Sequence, residues 1–181
     1  MACKDGNLNN LFWKFSLKFY AQPKVASNLI SLQDDLGVDV NLILCCFWSA
    51  DRSFPVLSQH IINDLSAIVE DWNVSVIKPL RSVRLGIKYL ESNKYIKIRE
   101  RIRGHAKDLE LSAEQFEQMM IYDNLNAYIA GSVIVKQDKI EVAKSNLLSY
   151  LRFLKLNTKV ESVILDELLD SYRKFLQNAT E

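Results

Sequence analysis

Glycine and proline are scarce in this sequence, with 5 and 3 residues among 181. Both residue types mark turns, and sandwiches or barrels made of many short strands need many turns. Apolar residues also recur every three or four positions, which is the spacing of an amphipathic helix. We therefore predict an all-α fold: a single-domain bundle of seven or eight helices over residues 1–181, with a bend or loose connection at 123–138.

Cysteine and histidine are also rare. The three cysteines are Cys3, Cys45 and Cys46, and this odd count with two adjacent residues predicts no disulfide framework. The two histidines, His60 and His105, cannot form a three-histidine zinc site. No phosphate-binding glycine loop, nucleophile elbow or paired-cysteine zinc motif occurs. We predict no cofactor, metal site or catalytic residue, and the sequence favours a protein that is not an enzyme.

No hydrophobic run is long enough to cross a membrane. The longest candidate, Val38–Ala50, has 13 residues where roughly 20 are needed, and it contains Asp39 and Asn41. The N-terminus lacks the continuous apolar segment of a signal peptide. We expect a cytoplasmic protein without a membrane span, in which Asp39 caps a buried central helix.

Aromatic and apolar side chains are concentrated between Phe12 and Trp48. Three helices are predicted there: one starting after Asn9 or Asn10, a second starting at Pro23 and ending at Gly37, and a third starting after Asp39. Further along, we predict a helix from Pro55, a break near Lys78, one long helix from Tyr95, and two amphipathic helices after residue 138.

Charge is distributed unevenly. The segment from Lys78 to Lys107 contains ten basic and two acidic residues, so it carries +8 in a chain whose net charge is +1. Arg81, Arg84 and Lys88 share one face of a helix and could bind phosphate groups or an acidic partner. The candidate residues for binding an anion or a partner are Arg81, Arg84, Lys88, Arg99 and Arg103.

Two alternatives to an acidic protein partner remain for these basic residues. Acidic residues of the same chain, including Glu110 and Glu114, could neutralise them. They could instead bind nucleic acid, which is less favoured because no glycine-rich or aromatic-interleaved motif accompanies them.

Several blocks of the sequence resemble a known family. They are FWKFSLKFY from Phe12, SLQDDLGVDVNLIL from Ser31, DWNVSVIKPLRSVRLGIK from Asp71 and LELSAEQFEQ from Leu109. They are similar to a family of small proteobacterial proteins known only as a conserved domain of unknown function. This resemblance implies a bacterial, cytosolic, helical protein, and it implies no activity, cofactor or catalytic residue.

Polar residues within those blocks suggest a second candidate site. If the helix ends carrying Asp39 and Arg81 meet, they could form a buried polar network or line a pocket. The alternative is a salt-bridged junction between helices with a purely structural role. The candidate residues for this network or pocket are Asp39, Asn41, Glu114, Trp13 and Phe15.

Three functional hypotheses follow. The first is a protein-interaction or regulatory module that binds an acidic partner through its basic face. The alternative is a small-molecule-binding protein or enzyme, whose pocket is lined by aromatics of the first helix and uses Arg81 and Arg84 to hold an anion. The third is nucleic-acid binding through the basic middle segment. The oligomeric state stays open.

Overall fold

A computed structural model of the chain describes residues 7–89, 95–130, 137–156 and 162–178. These residues form eight α-helices and one short π-helical turn. In chain order they are α1 (Leu11–Tyr20), α2 (Val25–Leu36), α3 (Val40–Asp51), α4 (Gln59–Trp72), the π turn (Asn73–Ile77), α5 (Lys78–Tyr89), α6 (Ile96–Ile129), α7 (Lys139–Phe153) and α8 (Ser162–Asn178). The predicted all-α helical bundle is confirmed.

Local sequence signals determine several helix ends. The side chain of Asn10 accepts a hydrogen bond from the backbone N–H of Trp13, and Asp39 accepts bonds from the first amides of α3, as predicted. Gly37 ends α2 with a φ of 68°, in the left-handed region. The prediction for Pro55 is wrong: α4 begins at Gln59, because Ser58 provides the capping hydroxyl.

No break occurs near Lys78. Helices α4 and α5 are joined by the π turn, in which the amide of Lys78 donates to the carbonyl of Asn73, five residues earlier. Proline lacks an N–H and crowds the carbonyl four residues before it. The wider turn just before Pro79 accommodates this, so the predicted break is corrected to a π turn within a continuous helical segment.

Helix α3 lies at the centre of the core, as the sequence predicts. Every residue from Asn41 to Ala50 is buried. Its aromatic side chains pack against helices from both ends of the chain. The centroid of the Phe47 ring is 4.8 Å from that of Phe19 in α1 and 5.1 Å from that of Tyr172 in α8. The core therefore includes the last helix as well as the first three.

Helix α7 is joined to α3 by buried polar contacts. Asn146 accepts a hydrogen bond from the backbone of Leu57 at 2.8 Å and donates to Ser49 at 2.9 Å. The hydroxyl of Tyr150 accepts a bond from the amide of Asp39 at 2.9 Å. These bonds fix the start of α3, and with it Asp39, against α7.

Helix α6 is longer than the core that it contacts. Its 34 residues span about 51 Å at 1.5 Å per residue. Ile98, Ile102 and Leu109 of the predicted apolar stripe are 51%, 51% and 57% exposed, so the stripe is buried only further along the helix. Helix α6 makes its most extensive contacts with α5, which itself has no buried residue.

The long helix also extends into the segment that we predict to bend. It continues to Ile129 because Leu125 is fully buried on the same side as Ile121. The rest of the predicted connection includes residues 131–136, which lie outside the described residues. Among the described helices, none is both long and apolar enough to cross a membrane.

Candidate functional site

A pocket of about 420 Å³ opens between α1, α2, α3, α5 and α6. Part of its lining is apolar and aromatic, and part carries paired charges. The apolar lining is formed by Trp13, Leu17, Tyr20, Ala21, Ile30, Val40, Leu44 and Leu111, and the polar or charged lining by Ser16, Gln33, Asn41, Arg81, Arg84, Lys107, Glu110, Glu114 and Gln118. Pockets that bind small organic molecules share this size and this mainly apolar character.

The charged wall is a cluster of two arginines and two glutamates. From α5, Arg81 donates from Nε to Glu110 at 2.9 Å and from Nη2 to Glu114 at 2.8 Å. Arg84 donates to both carboxylate oxygens of Glu110. Because Arg81 and Arg84 are one turn apart, as are Glu110 and Glu114, antiparallel packing of α5 on α6 aligns all four side chains.

Burial and ion pairing shift the pKa values of these two carboxyl groups in opposite directions. Burial raises the pKa of Glu110, but hydrogen bonds from Arg84 and Arg81 outweigh burial and hold its pKa below the usual value. At Glu114 burial prevails over the attraction of Arg81, and the pKa is raised. Glu110 is therefore the firmly ionised partner of the arginines.

A buried polar network lies beneath the pocket. Asn41 of α3 donates to Oε2 of Glu117, and Asn73 of the π turn donates from Nδ2 to Oε1 of Glu117 at 3.1 Å and to Oδ2 of Asp39 at 3.0 Å. Gln118 donates from Nε2 to Oδ1 of Asn41 at 2.7 Å. The network thus links α3, the π turn and α6.

The two carboxyl groups of this network share one region of low polarity. Burial, reinforced by the nearby charge of Asp39, raises the pKa of Glu117 to about 8. Burial also raises the pKa of Asp39, although the amides of Asn41 and Leu42 oppose the shift. Burial therefore favours the protonated form of both carboxyl groups.

Two buried polar atoms beside the pocket have no hydrogen-bond partner among the described residues: Oε1 of Gln118 and Oγ of Ser16. Their residues are 2% and 3% exposed, and both line the pocket. Buried polar groups are almost always hydrogen-bonded in proteins, so these two atoms indicate where a ligand or water would bind.

The pocket lies in the part of the chain that matches a known family. Residues 11–121 match a family described as "Protein of unknown function (DUF2390)". The chain belongs to the DUF2390 family. No match was found among curated proteins or among solved structures.

The DUF2390 match includes every residue that lines the pocket, from Trp13 to Gln118, and every residue of the buried network. Helices α7 and α8 lie beyond the match, and they complete the core through Tyr150 and Tyr172. The candidate site is therefore contained in the family region.

The predicted network and pocket residues fall in three places. Asp39 and Asn41 lie in the buried network, and Glu114 and Trp13 line the pocket. Phe15 is corrected: its side chain lies in the core, 5.7 Å from Phe19 and 5.6 Å from Phe175 between ring centroids. Phe15 follows Trp13 by two residues, which turns it about 200° around the helix axis.

The predicted basic face is divided by the structure. Arg81 and Arg84 point at the pocket and pair within the chain, which is the internal neutralisation that the sequence left open. Lys88 is exposed with its ammonium 5.4 Å from the Tyr89 ring. Arg103 and Arg99 lie 2.7 and 3.6 Å from Glu100. Whether any of the five binds a partner stays a prediction.

Sequence reasoning missed the roles of Glu117, Gln118, Asn73 and Ser16. Glu117 lies four residues after Ala113 and four before Ile121, and both of these residues are buried. Residues four apart share one face of a helix, so this spacing would have indicated that Glu117 faces the core. No local signal marks Asn73, because its contacts depend on the packing of the π turn against α3 and α6.

Other reactive groups contribute little to the site. Among the described residues, no group of three or more His, Cys, Asp or Glu side chains is arranged to hold a metal ion. Cys45 and Cys46 are buried thiols, and burial raises the pKa of Cys46 to about 12. Thiols of this kind are poor nucleophiles, because the thiolate is the reactive form.

Proposed function

We propose that this protein binds a small organic molecule in the pocket between α1 and α6. The observation that carries the proposal is the pair of buried atoms without partners, Gln118 Oε1 and Ser16 Oγ, beside a cavity of about 420 Å³. A cavity that arose only from imperfect packing would be lined by apolar groups, since unpaired polar groups are costly to bury.

The ion pairs around the cavity support a binding site over a free basic surface. Arg81 and Arg84 are 18% and 24% exposed and are held by Glu110 and Glu114. Their positions are therefore fixed before any ligand arrives, and a preorganised site loses less entropy on binding. This favours the small-molecule hypothesis over an acidic partner that binds these two arginines directly.

The test compares a blocked pocket with a matched control. Ala21 lines the pocket, so Ala21→Trp adds an indole beside it, whereas Ala67→Trp adds the same group at a position of α4 that is also exposed but does not line the pocket. A library of small organic acids, phenols and amines is screened by ligand-observed NMR. We expect hits that bind the wild type and the Ala67→Trp variant and are lost in Ala21→Trp. The absence of hits, or hits that Ala21→Trp leaves unchanged, would refute the proposal.

A second candidate function rests on the exposed half of α6. Ile98 and Ile102 are both 51% exposed and share a face with Leu109, which is 57% exposed. Lys97 and Arg101 are exposed in the adjacent row. An apolar stripe beside cations is complementary to an acidic amphipathic helix, while a second copy of this chain would bring like charges together. This supports the hypothesis of an acidic protein partner.

A designed peptide tests this second candidate. The probe is a helical peptide with leucines on one face and glutamates beside them, and its binding is followed by fluorescence anisotropy. We expect Ile98→Ser with Ile102→Ser to weaken binding at least about tenfold, and Val163→Ser, at an even more exposed apolar position on α8, to leave it unchanged. No binding of the peptide, or tighter binding of duplex DNA, would refute an acidic protein partner.

A further inference from the structure

The hydrogen-bonding pattern at the pocket floor determines what Gln118 presents to a ligand. Asn41 uses its Nδ2 to donate to Glu117, so its Oδ1 is left to accept from Gln118 Nε2. This orders the amide of Gln118 with Nε2 toward Asn41 and leaves its Oε1 without a partner at the pocket. A ligand that reaches the floor of the pocket therefore meets an acceptor that calls for a hydrogen-bond donor.

The charged wall, in contrast, offers hydrogen-bond donors and therefore favours an acceptor on the ligand. Arg81 and Arg84 use Nε and Nη2 for their glutamates, and in the described part of the chain Nη1 of each forms no hydrogen bond. A guanidinium that is held by one carboxylate can still donate to a second oxyanion. With Lys107, three cations face two carboxylates at the pocket, which leaves one net positive charge.

The remaining lining is apolar and includes the flat side chains of Trp13 and Tyr20 with Leu17, Leu44 and Leu111. Such a surface favours a ring or a short hydrocarbon between the two polar ends. A cavity of about 420 Å³ is at the small end of known ligand pockets, which suits a compound with a single ring.

We propose that the ligand is a small ring-containing carboxylic acid that also carries a hydroxyl or amino group, with the carboxylate at Arg81 and Arg84 and the donor at Gln118 and Ser16. This inference rests on the proposed binding function and assigns its ligand class. A neutral apolar compound would leave both Nη1 groups and Gln118 Oε1 unpaired.

Three matched probes test this class by titration calorimetry. They are 3-(4-hydroxyphenyl)propanoate, which has both polar ends, 3-phenylpropanoate, which lacks the hydroxyl, and 4-propylphenol, which lacks the carboxylate. We expect the first probe to bind at least about tenfold more tightly than either of the others. Equal binding of all three would overturn the assigned class while leaving the binding function intact.

Variants identify the side chains that recognise the hydroxyl and the carboxylate of the first probe. Gln118→Met is expected to abolish the higher affinity of 3-(4-hydroxyphenyl)propanoate relative to 3-phenylpropanoate. Ser16→Ala is expected to reduce this difference in affinity, and it provides a second test if Gln118→Met does not fold. The double variant Arg84→Gln with Glu110→Gln removes one positive and one negative charge. It is expected to abolish the higher affinity of 3-(4-hydroxyphenyl)propanoate relative to 4-propylphenol. The matched control is Arg103→Gln with Glu100→Gln, a more exposed pair on α6.

The outcomes separate the ligand class from the binding function. Library hits that are sensitive to Ala21→Trp but carry no carboxylate would overturn the ligand class alone. If neither the library nor the three probes bind at millimolar concentration, both proposals are refuted. Preference for the hydroxylated acid that persists in the arginine–glutamate double variant would overturn the proposed role of the charged wall.

Discussion

Asn73 of the π turn donates a hydrogen bond to Glu117 of α6 across 3.1 Å. The same Nδ2 lies 3.0 Å from Asp39 Oδ2, so one amide serves two carboxyl groups from two other helices. π turns are rare and often occur at functional sites. Here the turn accommodates Pro79, and its first residue places an amide beneath the proposed pocket.

Replacing Asn73 should expose the cost of leaving these carboxyl groups without their shared donor. We expect Asn73→Ala to lower the free energy of unfolding by about 1–3 kcal/mol, because buried acceptors lose a partner. Chemical denaturation measures this value. Asn63→Ala is the control, since Asn63 is exposed on α4 and should change stability little. Equal effects of the two variants would show that Asn73 contributes nothing specific.

Stability should depend on pH through Glu117. Burial raises its folded-state pKa to about 8 from the ordinary 4.5. Between these values the unfolded chain releases the proton and the folded chain keeps it, so stability falls as pH rises from about 4.5 to about 8. The slope for one proton is at most about 1.4 kcal/mol per pH unit. The pKa values of Asp39 and Glu114 are also raised, so both act in the same direction.

Denaturation curves between pH 5 and 9 provide the measurement. Glu117→Gln has no proton to release at this position, so its stability should vary less with pH than that of the wild type. A variant that loses stability with rising pH as steeply as the wild type would show that Glu117 is ionised normally in the folded protein.

The helices could be predicted because their signals are local. Asp39 and Gly37 act on amides and dihedral angles within a few residues of themselves, so the sequence indicates the start of α3 and the end of α2. The π turn could not be predicted in the same way, since proline and a β-branched run before it are equally typical of a break.

The site was harder to predict because it depends on how α6 is rotated against the core. A stripe through Ile98, Ile102 and Leu109 has helical spacing, yet all three side chains are more than half exposed. Periodicity reveals that a helix has an apolar face but not which neighbours cover it. The spacing of Ala113, Glu117 and Ile121 places these residues on one face of α6, but only the packing of α6 shows that this face is buried.

The ion-pair cluster should contribute to stability through its most buried member. Glu110 is 5% exposed and binds both Arg81 and Arg84. We expect Glu110→Gln to destabilise the protein at pH 7 by about 2–3 kcal/mol, because two partly buried arginines lose a common counter-charge. Since the pKa of Glu110 is lowered, its contribution is present above pH 4.5 and is lost as pH falls through the folded-state pKa.

Thermal melts of Glu110→Gln and Glu100→Gln at pH 7 and pH 3 measure this contribution. Glu100 pairs with Arg103 on the more exposed half of α6 and should change the melting temperature little. The difference between the Glu110 variant and the wild type should shrink at pH 3. A difference that is the same at both pH values would mean that packing, and not charge, accounts for the loss.

Two glycines with different backbone conformations should respond oppositely to alanine. Gly37 has a φ of 68°, where a Cβ is strained even though nothing lies within 4 Å of it. We expect Gly37→Ala to destabilise the protein by about 1 kcal/mol. Gly104 lies inside α6 with equally open space, so Gly104→Ala should stabilise it by about 0.5–1 kcal/mol. Equilibrium denaturation of both variants decides the matter: two changes of the same sign would mean that Gly37 does not end α2 in the left-handed conformation, or that α6 is not helical at Gly104.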